Sequence, residues 1–281
     1  MGGSGVVGDF LASLYPEKDI RSHKSFGLPS LREENTLYLF VSYSGETKET
    51  ISALEEALAE GLPTAVVTGG GALLQKAKGA NITHVCIPHN PGIPARFSLG
   101  YLLGAALDVL ATYNFTEGAE KVFAPLADTL TLDQESGGEF LAQDLADASI
   151  LVYTDLSLAA LGVYWSQMLA ESAKVPAFHY LLPEAAHNEI EAISAMEHPH
   201  LLVLHNLEAD SRLSQHVEAL RELAEVHHWG HTILPLDSGP QVRKLMNGVV
   251  LSWWTASKIA EAKNVDPLET PVIREEKDIL S

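Results

Sequence analysis

Three hydroxyls and a glycine crowd into one short stretch, Val41-Ser-Tyr-Ser-Gly-Glu-Thr-Lys-Glu-Thr50, at Ser42, Ser44, Gly45 and Thr47. The residues before it, 35–41, are apolar and β-favouring. After it, Ile51, Leu54, Ala57 and Leu58 fall at helical spacing and predict a helix over 49–60. The stretch is therefore a strand-to-helix turn. Backbone N–H groups at a helix start are unpaired and lie at the positive end of the dipole. Hydroxyls and a glycine placed there make a small, neutral anion cradle of a size to suit phosphate. N-capping by a single Ser or Thr accounts for the same residue types equally simply.

Other reactive side chains read more plainly. Glu171 beside Lys174 has the spacing of a solvated helix pair. His198, His200, His227, His228 and His231 are dense, yet no partner ligands stand at structural-zinc spacing, so surface or capping positions are expected. Asp9, Glu46 and Glu49 suit helix starts, and Trp253-Trp254 suit packing within an apolar helix. Cys86, the single cysteine, excludes an internal disulfide framework, fits a reducing cytoplasm, and is expected to be a buried structural thiol in the apolar run 83–87. A net charge of −19 argues against non-specific nucleic-acid binding but not against a small phosphorylated ligand. No apolar run reaches membrane-spanning length.

The elements that must position these groups alternate. Strands are predicted at 64–68 and 83–87 and helices at 73–78 and 99–113, followed by an acidic, helix-compatible connector. A second series has strands at 149–153, 200–204 and 232–236, with helices at 156–173, 210–228 and 242–263 and a short charged helix in the tail. Such alternation indicates α/β architecture with parallel, doubly wound sheets, whose ligands collect at the carboxyl ends of the strands. The division expected is 1–115, a connector at 116–148, and 149–281.

Ser-x-Ser-Gly-x-Thr after a strand resembles the phosphosugar-binding signature of sugar isomerase (SIS) domains. Gly2-Gly-Ser-Gly-Val-Val-Gly-Asp9 is similar to the first loop of bifunctional phosphoglucose/phosphomannose isomerases, although the strand that leads into that loop in the family does not precede it here. Pro94-Ala-Arg96 resembles the family's Pro-Arg segment with one Ala inserted. Trp165-Ser-Gln-Met-Leu-Ala-Glu-Ser-Ala-Lys-Val-Pro-Ala-Phe178, Leu182-Pro-Glu184 and His187-Asn-Glu-Ile-Glu191 resemble it block by block. The resemblance implies two SIS-type units with parallel sheets flanked by helices. It implies Glu171 as the catalytic base, His187 as the ring-opening group supplied from the neighbouring subunit of a homodimer, and Lys277 near the C-terminus beside it. It further implies Arg96 as the cation facing an enediolate, Ser42, Ser44 and Thr47 around the phosphate, Gly3 and Ser4 at the sugar, and Thr270 in acceptance of mannose phosphate.

That set suits the interconversion of a hexose aldose phosphate and its ketose. The ring opens by proton donation and acceptance, for which an imidazole is suited. A carboxylate then carries a proton between C1 and C2 through an enediol, while a fixed cation steadies the developing charge. No metal or cofactor is needed, and the sequence offers no clear site for either. A non-catalytic sugar-phosphate sensor on the same fold is the rival reading, and an isomerase of an amino-sugar or pentose phosphate the narrower one.

Overall fold

The computed structural model describes residues 2–33, 35–90, 92–127, 134–236 and 238–280, so part of the expected connector lies outside the described residues. The chain divides into two compact units, Met1–Ala124 and Pro125–Ser281.

Unit 1 runs α1 (Val7–Leu14), β1 (Tyr38–Ser42), α2 (Lys48–Ala59), β2 (Thr64–Thr68), α3 (Gly71–Gly79), β3 (Thr83–Cys86), α4 (Leu99–Thr112) and α5 (Ala119–Phe123). Its sheet has the order β1-β2-β3, all parallel, with Tyr38 opposite Thr64 and Ala65 opposite Thr83. β2 is central and every residue of it is buried, as a short β-branched run covered on both faces should be. Ala53, Leu54 and Ala57 of α2 and Leu73 and Ala77 of α3 pack with Phe40 and Val66 into one core. β1 is the outer strand among the described residues, and a cavity of about 790 Å³ runs beside it, lined in part by Leu28, Leu31, Leu39, Val41 and Ala53. β3, the opposite edge, leaves Cys86 exposed. The expectation of a buried thiol is thus corrected, because an apolar run at a sheet edge covers only part of its surface.

Unit 2 runs α6 (Gln134–Leu145), β4 (Ser149–Thr154), α7 (Ala159–Met168), β5 (Ala177–Leu181), β6 (Pro199–Asn206), α8 (Ser211–His227), β7 (Gly230–Leu236), α9 (Gln241–Ala262) and α10 (Pro271–Ile279). The parallel sheet has the order β5-β4-β6-β7. β4 and β6 fill its centre with Ile150, Leu151, Val152, Leu201, Leu202 and Val203, all buried. Fully buried Trp165 of α7 donates Nε1–H to the Gly248 carbonyl of α9 at 3.0 Å. Gly248 permits this approach, since a Cβ there would lie 2.5 Å from Leu161 Cδ2.

Three features of unit 2 depart from expectation. β5 has no counterpart among the predicted strands; it follows Pro176 directly and, as an edge strand, leaves Phe178 exposed. The helix predicted over 156–173 is three pieces: a 3-10 turn at Leu156–Leu158, α7, and a widened π-turn at Leu169–Ala173. His200 is neither a surface nor a capping residue. It is buried on β6 with Nε2 2.9 Å from Thr232 Oγ1, and burial holds its pKa below the usual histidine value against the opposing pull of Asp144.

Candidate active site

In unit 1 the loops at the carboxyl ends of the strands converge. Ser42 ends β1, and its Oγ accepts from Gly45 N at 3.1 Å and stands 2.9 Å from Thr47 Oγ1. Ser44 Oγ accepts from Glu46 N at 3.2 Å. Thr47 occupies the N-cap position of α2 but makes no side-chain capping bond; its hydroxyl turns to Ser42 instead. Simple capping therefore does not account for this threonine. Hydroxyls and the positive end of a twelve-residue helix are gathered at one point.

The loop is braced from the next strand. Gly45 has φ +70°, and a Cβ on it would lie 1.8 Å from the Gly70 carbonyl oxygen. Leu73 N donates to Gly45 O at 3.0 Å, and Ala72 N donates to Glu46 Oε1 at 2.9 Å. Glu46 therefore serves the start of α3 across the loop pair. Only a residue without a side chain at Gly45 lets the two main chains approach this closely.

The N-terminal turn Gly2–Ser4 joins the same cluster. Ser4 is buried, and its Oγ accepts from Tyr43 N at 2.9 Å, within the cradle loop. Gly3 packs on the turn Ala95–Phe97, where a Cβ would meet Arg96 N and Cα at 2.5 Å. Arg96 is only 4% exposed, and its guanidinium carbon lies 5.4 Å from the Phe97 ring centroid. Tyr43 also ties down the loop that leads to Arg96: its hydroxyl accepts from Asn90 N at 3.1 Å and donates to Asn90 O at 3.2 Å. Gly3, Ser4, the Ser42–Thr47 loop and the turn holding Arg96 are thus one connected set.

In unit 2, Glu171 stands half-buried in the π-turn that closes α7. π-turns insert one residue into a helix and are frequent at functional sites. Lys174 ends this turn with a left-handed backbone, φ 55° and ψ 40°. Its spacing suggests a partner of the Glu171 carboxylate, and the structure shows it holding main chain. Its ammonium donates to two main-chain carbonyls, Glu171 O at 2.5 Å and Glu269 O at 2.6 Å. Thr270 follows at the start of α10, with Pro271 at the first helical position. The structure therefore links the Glu171 turn to the segment that bears Thr270. Lys277 is exposed on α10. His187 ends the short 3-10 turn Glu184–His187 after β5 and is exposed too. Asn188 fixes that corner by donating Nδ2–H to Glu184 Oε1 at 2.9 Å and accepting from Glu189 N at 2.7 Å.

Sequence reasoning missed Lys174 and Tyr43 as organising residues. A lysine in a left-handed cap leaves no pattern in sequence. Tyr43 sat inside the quoted signature but at its variable position. Among the described residues no three His, Cys, Asp or Glu side chains gather as a metal site, and no helix is long and apolar enough to cross a membrane.

Comparison with known proteins adds to this geometry. The family described as bacterial phospho-glucose isomerase C-terminal SIS domain matches residues 134–280. A bifunctional phosphoglucose/phosphomannose isomerase of Aquifex aeolicus is 26% identical over 287 aligned residues, covering 100% of this chain and 88% of the relative. A D-glucosamine-6-phosphate 4-epimerase of Sulfolobus acidocaldarius is 28% identical over 202 residues, covering 70% of this chain and 63% of that protein. Among solved structures, a hypothetical protein of Thermus thermophilus superposes with a TM-score of 0.71 at 19% identity, covering 100% of this chain and 81% of that one, which establishes likeness of fold.

Proposed function

The chain belongs to the bacterial phosphoglucose isomerase family with a C-terminal SIS domain, and from that premise we propose that it is a sugar-phosphate isomerase interconverting glucose 6-phosphate and mannose 6-phosphate with fructose 6-phosphate. The observation that carries the reading is the cradle. Ser42, Ser44 and Thr47 meet the start of α2, with Thr47 turned from capping toward Ser42. Similarity over the whole chain to a phosphoglucose/phosphomannose isomerase supports it.

The roles follow from chemistry. The cradle takes the phosphate by hydroxyl and main-chain donors, as a helix start favours. Gly3 and Ser4, fastened to the cradle loop and the Arg96 turn, meet the sugar. His187 and Lys277 open the ring: an imidazole can give a proton to the ring oxygen and take one from the anomeric hydroxyl. The Glu171 carboxylate then removes the proton at C2 of the aldose and returns it at C1, with an enediol between the two steps. Arg96 balances the charge that develops on the enediolate oxygens. Thr270 helps the site accept the C2 epimer. His187 acts in the neighbouring subunit of a homodimer, and its exposed position at a chain corner suits that role.

The relative that acts on glucosamine 6-phosphate favours a second reading, an amino-sugar phosphate as substrate, since the cradle binds phosphate without reading C2. Turnover of fructose 6-phosphate in D2O separates the two. The proposed route lets solvent deuterium enter at C2 of the aldose product to the extent that the proton carried by Glu171 exchanges with water, and Glu171→Gln abolishes turnover and incorporation together. Turnover that survives in Glu171→Gln refutes the carboxylate shuttle; no turnover of fructose 6-phosphate, with turnover of its amino analogue, establishes the second reading.

A further inference from the structure

We propose that Lys174 is a positioning residue of the isomerase reaction, clamping the tail segment that carries Thr270 and Lys277 onto the turn that carries Glu171. The inference rests on the isomerase reading above.

Its ammonium contacts two main-chain carbonyls from distant parts of the chain, Glu171 O at 2.5 Å and Glu269 O at 2.6 Å. Both contacts are charge-assisted, and each carbonyl belongs to a residue that is, or directly adjoins, a proposed site residue. Glu171 is the proposed base. Glu269 directly precedes Thr270, the N-cap residue of the helix that carries Lys277. Every residue of α10 is at least partly exposed, so the helix is not held by a fully buried side chain of its own. A fixed hydrogen-bonded tether at its root is the kind of device that can hold it.

The residue type fits the task. A lysine ammonium carries rotatable donors on a flexible stem and can serve two carbonyls lying in different planes, whereas the rigid arginine fork suits coplanar acceptors. The left-handed backbone of Lys174, φ 55°, closes the π-turn and brings this side chain back over the carbonyl three residues earlier. Cations near helix C-termini satisfy orphan carbonyls in this way. Here the same cation also reaches a second segment, 95 residues further along the chain.

The test compares Lys174→Met, Lys277→Met and the double variant by steady-state kinetics with fructose 6-phosphate and by hydrogen exchange. Met keeps the stem and removes the ammonium. The expected result is faster exchange across residues 265–280 by about tenfold. In parallel, kcat falls about 10- to 100-fold, as misplacement of a reacting group does, with KM within about threefold. The double variant is expected to be no slower than Lys277→Met by more than about threefold, because both changes disable the same group. An unchanged kcat in Lys174→Met, unchanged tail exchange, or losses that multiply in the double variant overturn the proposal. A lower melting temperature with full kcat would leave Lys174 a mere helix cap, which also overturns it. If Lys174→Met does not fold, Lys174→Gly takes its place, since the left-handed backbone favours glycine. If the wild-type chain does not turn over the sugar phosphate, the isomerase reading fails by itself, and tail exchange alone then decides whether the clamp exists.

Discussion

Replacing Gly45 by alanine perturbs the cradle at the point where its two bracing loops touch. The alanine must hold φ +70°, a left-handed conformation that costs an L-residue about 1–2 kcal/mol. Its Cβ would also lie 1.8 Å from the Gly70 carbonyl oxygen, a main-chain atom that cannot swing aside as a side chain would. Relieving such overlap by moving backbone costs about 1–3 kcal/mol more. The sum, about 2–5 kcal/mol, falls on hydrogen bonds that define the site: Leu73 N to Gly45 O and Gly45 N to Ser42 Oγ. A loop shift that breaks them moves Ser42 away from Thr47. Fructose 6-phosphate binding measured by calorimetry is therefore expected to weaken at least about tenfold, the equivalent of 1.4 kcal/mol, while thermal melting falls by several degrees. Unaltered affinity together with a melting temperature within about one degree of wild type would refute the reasoning, because the close approach of the two loops could not then be real.

Further outcomes follow from the same structure. Thr47→Val removes the hydroxyl that stands 2.9 Å from Ser42 Oγ while keeping its shape; KM for the sugar phosphate should rise about 10-fold or more with kcat within about threefold, and an unchanged KM contradicts the cradle. Mixing Glu171→Gln with His187→Gln protein tests the shared dimer site: random reassortment should restore about a quarter of wild-type activity, and a mixture as inactive as its parts counts against His187 acting across subunits. His179 lies 2.8 Å by Nε2 from Thr154 Oγ1, and burial lowers its pKa to about 4. The folded chain thus binds fewer protons than the unfolded one between about pH 4 and 6.5, so stability present at neutral pH is lost as pH falls through that window. Urea unfolding should show about 2 kcal/mol less stability from this residue at pH 5 than at pH 7, and His179→Gln should lose that part of the slope; an equal slope in both proteins contradicts the assignment.

What the sequence discloses depends on how local the signal is. β2 coincides with its predicted span because Thr64–Thr68, a run of four β-branched residues and one Ala, is buried throughout. The hydroxyl cluster at Ser42–Thr47 was legible because all its members lie on one turn. The bond from Tyr43 N to Ser4 Oγ was not, since its partners are 39 residues apart. β5 escaped notice because an edge strand needs only partial burial, so Phe178 and His179 supply no continuous apolar run. The π-turn escaped because one extra residue in a helix barely disturbs the apolar spacing around Leu169. Lys174 shows the same limit from another side: three residues after Glu171 it resembles a surface ion-pair partner, and only the left-handed backbone directs it to carbonyls. Cys86 and His200 were misplaced because strand order, which decides which strands lie at an edge, is not written in local composition.

The most direct test of the central claim is a coupled assay of purified protein with fructose 6-phosphate, scoring glucose 6-phosphate and mannose 6-phosphate separately, with Glu171→Gln alongside. Both aldoses are expected from the wild-type chain. The variant is expected to bind fructose 6-phosphate normally while its kcat drops about 100- to 10,000-fold, as loss of a general base does. Tight binding of the sugar phosphate to both proteins with no turnover in either would contradict the account and leave a binding protein on this fold.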